Sequence, residues 1–326
     1  MPDVTIGEQP LTSETLHLDD VVVPFQIEGI DMRGRIVRLS PLVSEVMARH
    51  SYPEPVAVLL GEALTLAAML GTSLKFEGRF TLQTKSDGPV SMLVADFESP
   101  GNVRGYAHID PDALTSALER GIASPADLLG KGYLALTIDQ GADMDRYQGI
   151  VKLDETGLAA AAHEYFAQSE QIATRIKIAV GQFYDRDGED GAQKGWRAGA
   201  IMIQHLPPEG GITGFREEDD NTALSEEERN WEHAAILLDT VTDEELLDPE
   251  VTADRLLFRL YHEDGVRVYA PSGVRFGCRC SRDRIEGVLR TFGTDDIEHM
   301  TKNGRIETKC EFCAEVYAFD PTELGG

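Results

Sequence analysis

All four cysteines of this 326-residue chain lie within its last 49 residues, as Cys-x-Cys and Cys-x-x-Cys separated by 29 residues. Cys278 and Cys280 would point to the same side of an extended segment and could contact one ion. Cys310 and Cys313 have the spacing of a zinc knuckle. Four thiolates in two close pairs favour tetrahedral zinc and leave no open position for a catalytic water. The pattern therefore predicts one structural or regulatory Zn²⁺ per chain.

The segment that carries these cysteines, residues 271–326, has few large apolar side chains, and a module this small usually needs a cross-link. Zinc binding at such sites is worth about 10–16 kcal/mol, comparable with the stability of a whole domain. Loss of the metal should therefore unfold the module. Thiolates are also the form of cysteine that oxidants attack, so the site should respond to oxidation. Arg279, Arg282 and Arg284 either lower the thiol pKa values or form a solvated face.

Residues 209–270 hold 18 acidic and 5 basic side chains, a large share of the formal charge of −27. The segment nevertheless carries helix signals. Ser225 with Glu228 and Thr242 with Glu245 have capping-box spacing. We therefore expect an acidic helical linker rather than a tail.

A third helix is predicted to start at Asp248-Pro249, because proline is favoured in the first helical turn. Two apolar faces have helical spacing: Trp231, Ala234, Ala235 and Leu238, and then Ala253, Leu256, Leu257, Leu260 and Tyr261. Helices this short are marginal alone in water, so they need a surface on which to dock. The alternative is a solvated linker with isolated helical turns.

The first 208 residues mix helices with strands in no repeating βαβ order, which predicts an α+β domain. Ser40-Pro41 predicts a helix start, and Ser86-Asp87-Gly88-Pro89 predicts a hairpin turn. The predicted helices are 41–50, 55–70, 111–119 and 157–168, and the predicted strands are 80–84, 90–97, 103–109, 133–138, 148–153, 176–181 and 199–206. Pro207-Pro208 marks a boundary. We expect three units: an α+β core (1–208), an acidic helical linker (209–270) and a zinc-binding redox-switch domain (271–326).

The charge of −27 disfavours partners with phosphate lattices or anionic surfaces, so we expect neither nucleic acid nor a membrane as partner. The longest apolar run, 56–70, is short for a membrane span and contains Glu62. No secretory signal is evident, so a cytoplasmic protein is expected. Residues 130–132 (GKG) lack the other positions of a phosphate loop. We see no catalytic constellation and expect no enzyme.

The cysteine motif and its context resemble the redox-regulated heat-shock protein 33 family. The resemblance covers nearly the whole chain. It is carried by residues 276–282 (FGCRCSR), 258–263 (FRLYHE), 52–56 (YPEPV), 74–78 (LKFEG), 86–89 (SDGP), 146–149 (RYQG), 164–166 (EYF) and 169–171 (SEQ). The linker around 210–229 is longer and more acidic than in the family pattern, and the tail after Cys313 is short.

This resemblance implies an ATP-independent chaperone of the holdase type that binds unfolded client proteins and prevents their aggregation under oxidative and heat stress. The reduced, zinc-bound form would be inactive. Oxidation would form the disulfides Cys278–Cys280 and Cys310–Cys313, release zinc and unfold the neighbouring linker, often with formation of a homodimer. The client-binding residues are not implied.

Two other functions fit the cysteines. A constitutive zinc-ribbon adaptor with purely structural zinc would bind its partner regardless of oxidants. A dithiol oxidoreductase using Cys310 and Cys313 would turn over with a thiol reductant and contain no stoichiometric zinc. Metal analysis of the reduced protein separates the second from the others.

Overall fold

A computed structural model describes residues 19–74, 77–141, 144–154, 156–185, 193–205 and 224–324. Residues 19–205 form β1 (Val21–Ile27), β2 (Met32–Leu39), α1 (Pro41–Arg49), α2 (Glu54–Gly71), β3 (Arg79–Ser86), β4 (Val90–Glu98), β5 (Asn102–Ile109), α3 (Pro111–Glu119), α4 (Pro125–Leu129), β6 (Gly132–Asp139), β7 (Tyr147–Leu153), α5 (Gly157–Tyr165), β8 (Thr174–Asp185) and β9 (Gln193–His205). Residues 224–261 form α6 (Glu226–Asp239), α7 (Asp243–Leu247) and α8 (Ala253–Tyr261). The remainder forms β10 (Val266–Val268), β11 (Ser272–Gly273), β12 (Arg275–Phe276), α9 (Arg282–Leu289), α10 (Thr294–Met300), β13 (Ile306–Lys309), β14 (Val316–Phe319) and α11 (Pro321–Leu324).

The predicted α+β class is confirmed, and each predicted strand of the core corresponds to an observed one. The hairpin at 86–89 joins β3 to β4, with Lys85 opposite Met92. Strands β1 and β2, residues 21–39, were not predicted. The predicted boundary at Pro207-Pro208 lies outside the described residues.

The first sheet has the strand order β10-β1-β2-β9-β8, with β11 also paired to β1. It is apolar on both faces, because alternate residues of a strand point to opposite sides. In β1, Val22 joins the cluster around α1 and α2, whereas Val21, Val23 and Phe25 join a second cluster on the opposite face. Both faces of this sheet therefore need a cover.

The second sheet has the order β12-β5-β4-β3-β6-β7 and is antiparallel except where β12 pairs in parallel with β5. Helix α2 packs against strands of both sheets, and most of its residues are buried. Its 18 residues and mean hydropathy of 1.5 would suffice for a membrane span, but 78% of the helix is buried inside the protein. Helix α2 is therefore the central helix of the core.

Helix α1 begins at Pro41, as predicted, but the Ser40 side chain does not cap it. Instead the carboxylate of Asp20 accepts hydrogen bonds from the backbone N–H groups of Ser40 (3.0 Å) and Leu42 (2.8 Å). Burial, the largest effect, raises the pKa of Asp20 to about 6. Asp20, the residue before β1, thus supplies the cap in place of Ser40.

The linker helices α6–α8 cover the outer face of the first sheet. The capping boxes at Ser225 and Thr242 are confirmed. The predicted apolar face of α8 is buried in the second cluster, together with Ala234 and Leu238 of α6. A solvated linker with isolated turns is therefore wrong for residues 224–261.

The predicted helix start at Asp248-Pro249 is wrong. Helix α7 ends at Leu247 with Asp248 as its C-cap, and α8 begins only at Ala253, after the N-cap residue Thr252. The intervening turn is held by Arg38 of β2. Its guanidinium donates to the carbonyl oxygens of Asp248 (2.9 Å) and Val251. In a continuous helix these two carbonyl oxygens would not both face Arg38.

Residues 282–324 form a small unit of their own, in which β13 and β14 make a two-stranded sheet. Its apolar cluster is small and contains Leu289, Ile297, Ile306, Phe319 and Leu324. The strands that precede it, β11 and β12, pair with β1 and β5 of the core. The cysteine module is thus attached to both core sheets.

Candidate metal centre

The two cysteine pairs follow two short strands. Cys278 and Cys280 come directly after β12, and Cys310 and Cys313 come directly after β13. The backbone N–H of Ala314 donates to the carbonyl oxygen of Cys310 (2.8 Å), and Ala314 adopts a left-handed φ of 59°. This turn directs both side chains of the second pair to one side.

The four sulfur atoms converge, all lying within 4.8 Å of one another. The Cys278 sulfur lies 3.4 Å from that of Cys280 and 3.7 Å from that of Cys310, and the sulfurs of Cys280 and Cys313 are 3.3 Å apart. A tetrahedral ion with metal–sulfur bonds of about 2.3 Å requires edges of about 3.8 Å. All four cysteines are free thiols. Their placement fits a tetrahedral metal site.

The pKa values of the cysteine thiols are shifted in different directions. Burial is the largest effect on Cys278 and would raise its pKa, but hydrogen bonds from the backbone and thiol of Cys280, and from the other two thiols, lower the pKa to about 7. Burial raises the pKa of Cys310 and of Cys313. Because metal binding requires thiolates, a cation is what would hold all four in the ionised form.

Two further side chains contact the sulfurs. The Tyr317 hydroxyl of β14 donates to the sulfur of Cys280 (3.2 Å), and this hydrogen bond raises the tyrosine pKa. Arg104 of β5 donates to the sulfur of Cys278 (3.8 Å). Such outer contacts orient ligands and tune a metal site.

The arginines singled out from sequence do not bind the sulfurs. Arg279 pairs with acids of β4, Arg282 donates to the carbonyl oxygen of Ala318 (2.8 Å), and Arg284 donates to that of Arg279 (2.9 Å). Arg104 was missed, because it lies 174 residues from Cys278. No local pattern could have found it.

The core also holds the second cysteine pair through backbone contacts. The His50 ring nitrogen Nε2 donates to the carbonyl oxygen of Phe312 (3.2 Å), and Arg49 donates to that of Cys313 (3.4 Å). The ring of Phe312 packs edge-on against Tyr106, with centroids 4.8 Å apart. The cysteine centre therefore lies directly against the core.

The architecture and the cysteine centre have counterparts in known proteins. The family model described as Hsp33 protein matches residues 20–320. The chain belongs to the Hsp33 family. The matched range, in a chain of 326 residues, includes the core, the linker and all four cysteines.

Named relatives and a solved structure agree with this assignment. The 33 kDa chaperonin of Caulobacter vibrioides is 43% identical over 314 residues, which are 95% of this chain and 98% of the relative. That of Ectopseudomonas mendocina is 35% identical over 94% of each chain. The crystal structure of the Hsp33 homologue of Thermotoga maritima superposes with a TM-score of 0.70 at 25% identity, covering 94% of this chain and 96% of that one.

The Hsp33 family is a family of chaperones, so this protein is a chaperone, a class distinct from enzymes. Its partners are accordingly unfolded client proteins. The four clustered cysteines are consistent with a metal site.

Proposed function

We propose that this protein is a redox-regulated, ATP-independent holdase, inactive when reduced and zinc-bound and active when oxidised. One observation carries the proposal: four free thiols meet at one point, against the core and directly after the strand β12 that follows the linker and pairs with β5. The proposal has three functional units, the core (1–208), the linker (209–270) and the redox-switch module (271–326). A cytoplasmic location is part of the proposal, because a reducing compartment keeps thiols free.

One zinc ion per chain would be held by Cys278, Cys280, Cys310 and Cys313. It would cross-link the two cysteine pairs and supply stability that the small apolar cluster of residues 282–324 lacks. The core contacts at His50 and Arg49 hold the second pair in place. In this state the linker stays docked on the first sheet.

Oxidation by a peroxide would remove the ligands. The thiolates of Cys278 and Cys280 give two electrons to the peroxide, an S–S bond forms, and the O–O bond breaks. The two oxygens leave as water after taking up two protons. Cys310 and Cys313 react in the same way with a second peroxide, so that no thiolate remains to hold a metal.

Loss of the cross-link would release the linker and expose the apolar face beneath it, including Phe25, Ile36 and Ile201. Exposed apolar surface of this kind suits the apolar segments of unfolded clients. Like charges in the acidic linker repel one another, which favours undocking and keeps loaded complexes soluble. Two activated chains would associate as a homodimer.

The test starts from the reduced, zinc-loaded protein, treated with hydrogen peroxide under mild heat. A chromogenic chelator follows zinc release, and light scattering follows aggregation of a thermally unfolded client. We expect both zinc release and suppression of aggregation to rise together and to reverse with dithiothreitol. The matched control is the Ser variant of all four cysteines, which should not respond to peroxide.

Zinc release with no gain in suppression would contradict the switch. Suppression that is equal before and after peroxide would instead favour a constitutive zinc-ribbon adaptor with purely structural zinc.

A further inference from the structure

The side chain of Arg104, on β5 of the core, contacts both halves of the cysteine centre. Its Nη1 donates to the sulfur of Cys278 (3.8 Å), and its guanidinium carbon lies 3.7 Å from the centre of the Phe312 ring, between Cys310 and Cys313. The side chain is only 11% exposed. A charge in this position is well shielded from water and interacts strongly with its neighbours.

Arg104 is fixed from the opposite side by Asp96 of β4. Its Nε and Nη2 both donate to one carboxylate oxygen of Asp96, at 2.9 and 2.7 Å. Asp96 and Arg104 are directly opposite each other in the β4–β5 register. The core alone therefore fixes the position of the guanidinium, without help from the module. The remaining nitrogen, Nη1, is left to face Cys278.

The charges around this contact are unequal. Three arginines form ion pairs with two carboxylates. This cluster consists of Arg79, Arg104, Arg279, Asp96 and Glu98. The cluster therefore has one positive charge more than its acids neutralise. The reduced, metal-loaded cysteine centre would supply the missing negative charge, because four thiolates around one Zn²⁺ carry a net charge of about −2, whereas a disulfide at Cys278 carries none.

The other described hydrogen bonds and ring contacts between core and module do not have a sulfur atom as partner, although Arg49 lies within electrostatic range of Cys278 and Cys313. His50 and Arg49 donate to backbone carbonyl oxygens, and Tyr106 packs on a ring. Oxidation of the thiols leaves these groups chemically unchanged. The hydrogen bond from Arg104 to Cys278 is the described direct contact from the core whose acceptor loses its charge.

We propose that Arg104 is a positioning residue through which the core senses the redox state of the cysteine centre. It holds the module while Cys278 is a thiolate and releases it once Cys278 enters the disulfide formed by the peroxide reaction above. The inference rests on the proposed redox switch, and it assigns the redox-dependent docking contact to the core rather than to the linker.

Amide hydrogen exchange tests this in the full-length, reduced, zinc-loaded protein. The reporters are the N–H groups of Arg275 and Gly277, which donate across to the carbonyl oxygens of Gly101 and Val103 of the core (2.9 and 3.0 Å). In R104M they should exchange about tenfold faster or more, because a charge-assisted contact is lost while the apolar stem stays. Amides between β13 and β14 should be unchanged, with zinc content still one per chain.

A conservative variant and a matched control separate charge from packing. R104K keeps the charge and should stay within about threefold of the wild-type exchange. R146M removes an arginine that pairs with Asp139 on the same sheet, far more exposed, and should leave the reporters unchanged.

Wild-type protection of the reporters in R104M would overturn the proposal. Full loss of protection in R104K would also overturn it, and this outcome decides the question if R104M does not fold. Protection of the reporters in the wild type that survives peroxide treatment would overturn it as well. These measurements use no client. A failed client assay would therefore overturn the proposed function while leaving the docking result in reduced protein to stand.

Discussion

The linker and the cysteine module both dock on the core, but through different chemistry. The linker buries a continuous apolar face, including Leu256, Leu257 and Tyr261, against the first sheet. The module has a small apolar cluster of its own and meets the core mainly through ion pairs, ring contacts and hydrogen bonds around its sulfurs. Apolar burial does not change with redox state, whereas contacts to sulfur do. For the proposed redox switch, this difference favours the module as the sensor and the linker as the segment that is released.

Removing the metal should produce the largest difference in stability between the module and the rest of the chain. With zinc chelated under reducing conditions, residues 282–324 should lose hydrogen-exchange protection while β3 and β4 of the core keep theirs. The expected loss is about 10–16 kcal/mol of binding free energy, more than so small an apolar cluster can replace. Protection of β13 and β14 that survives chelation would show that the module folds without metal.

Arg38 is a buried polar anchor of the largely apolar linker interface. It is 7% exposed, and its guanidinium donates to the carbonyl oxygens of Glu245 (3.3 Å), Asp248 and Val251. Arg38→Met should weaken linker docking by about 2–4 kcal/mol, because buried carbonyls lose their donor. Limited proteolysis of the reduced, zinc-loaded protein should then cut within 224–261 while zinc stays bound.

The matched control for Arg38 is Arg175→Met. Arg175 also joins core to linker, through Asp239 at 2.6 Å, but both side chains are nearly half exposed. Such pairs contribute about 0–1 kcal/mol. Equal proteolysis of the two variants would show that docking does not depend on the buried arginine.

One pH effect should arise in the core, away from the cysteine centre. Burial raises the pKa of Glu62, on the central helix α2, from 4.5 to about 7. Because the folded pKa lies above the unfolded one, its contribution to stability is complete below pH 4.5 and is lost as the pH rises towards 7. Glu62→Gln should therefore gain stability over the wild type across this window, reaching about 3 kcal/mol above pH 7.

Urea unfolding of the core at pH 5 and pH 8 measures this difference. Glu54→Gln, in the exposed first turn of the same helix, is the control and should show a much smaller change. A Glu62 variant whose advantage does not grow between the two pH values would contradict the expectation.

The smallest expected effect is at the start of the linker. Ser225 accepts from the N–H of Glu228 in a complete capping box. Ser225→Ala should destabilise α6 by about 1 kcal/mol. Hydrogen exchange of the first turn of α6 should rise severalfold, with no change in the metal content of the module.

Sequence reasoning located most core elements but missed β1 and β2. The missed strands lie in the sheet that is buried on both faces, and the run Val21–Val23 therefore lacks polar alternation. A continuous β-branched run was the available signal. The start of α8 was misplaced because Asp248-Pro249 satisfies the local rule, while Arg38 binds the carbonyls of that turn from another strand.

The sequence by itself determined what depends on short spacing: the two cysteine pairs, the capping boxes at Ser225 and Thr242, and the apolar face of α8. In each case a few covalently adjacent residues set the geometry. Only the tertiary structure decided that Arg104 faces Cys278 and that Arg38 anchors the linker, across 174 and at least 207 residues. Such contacts depend on which surfaces meet, and local spacing does not encode that.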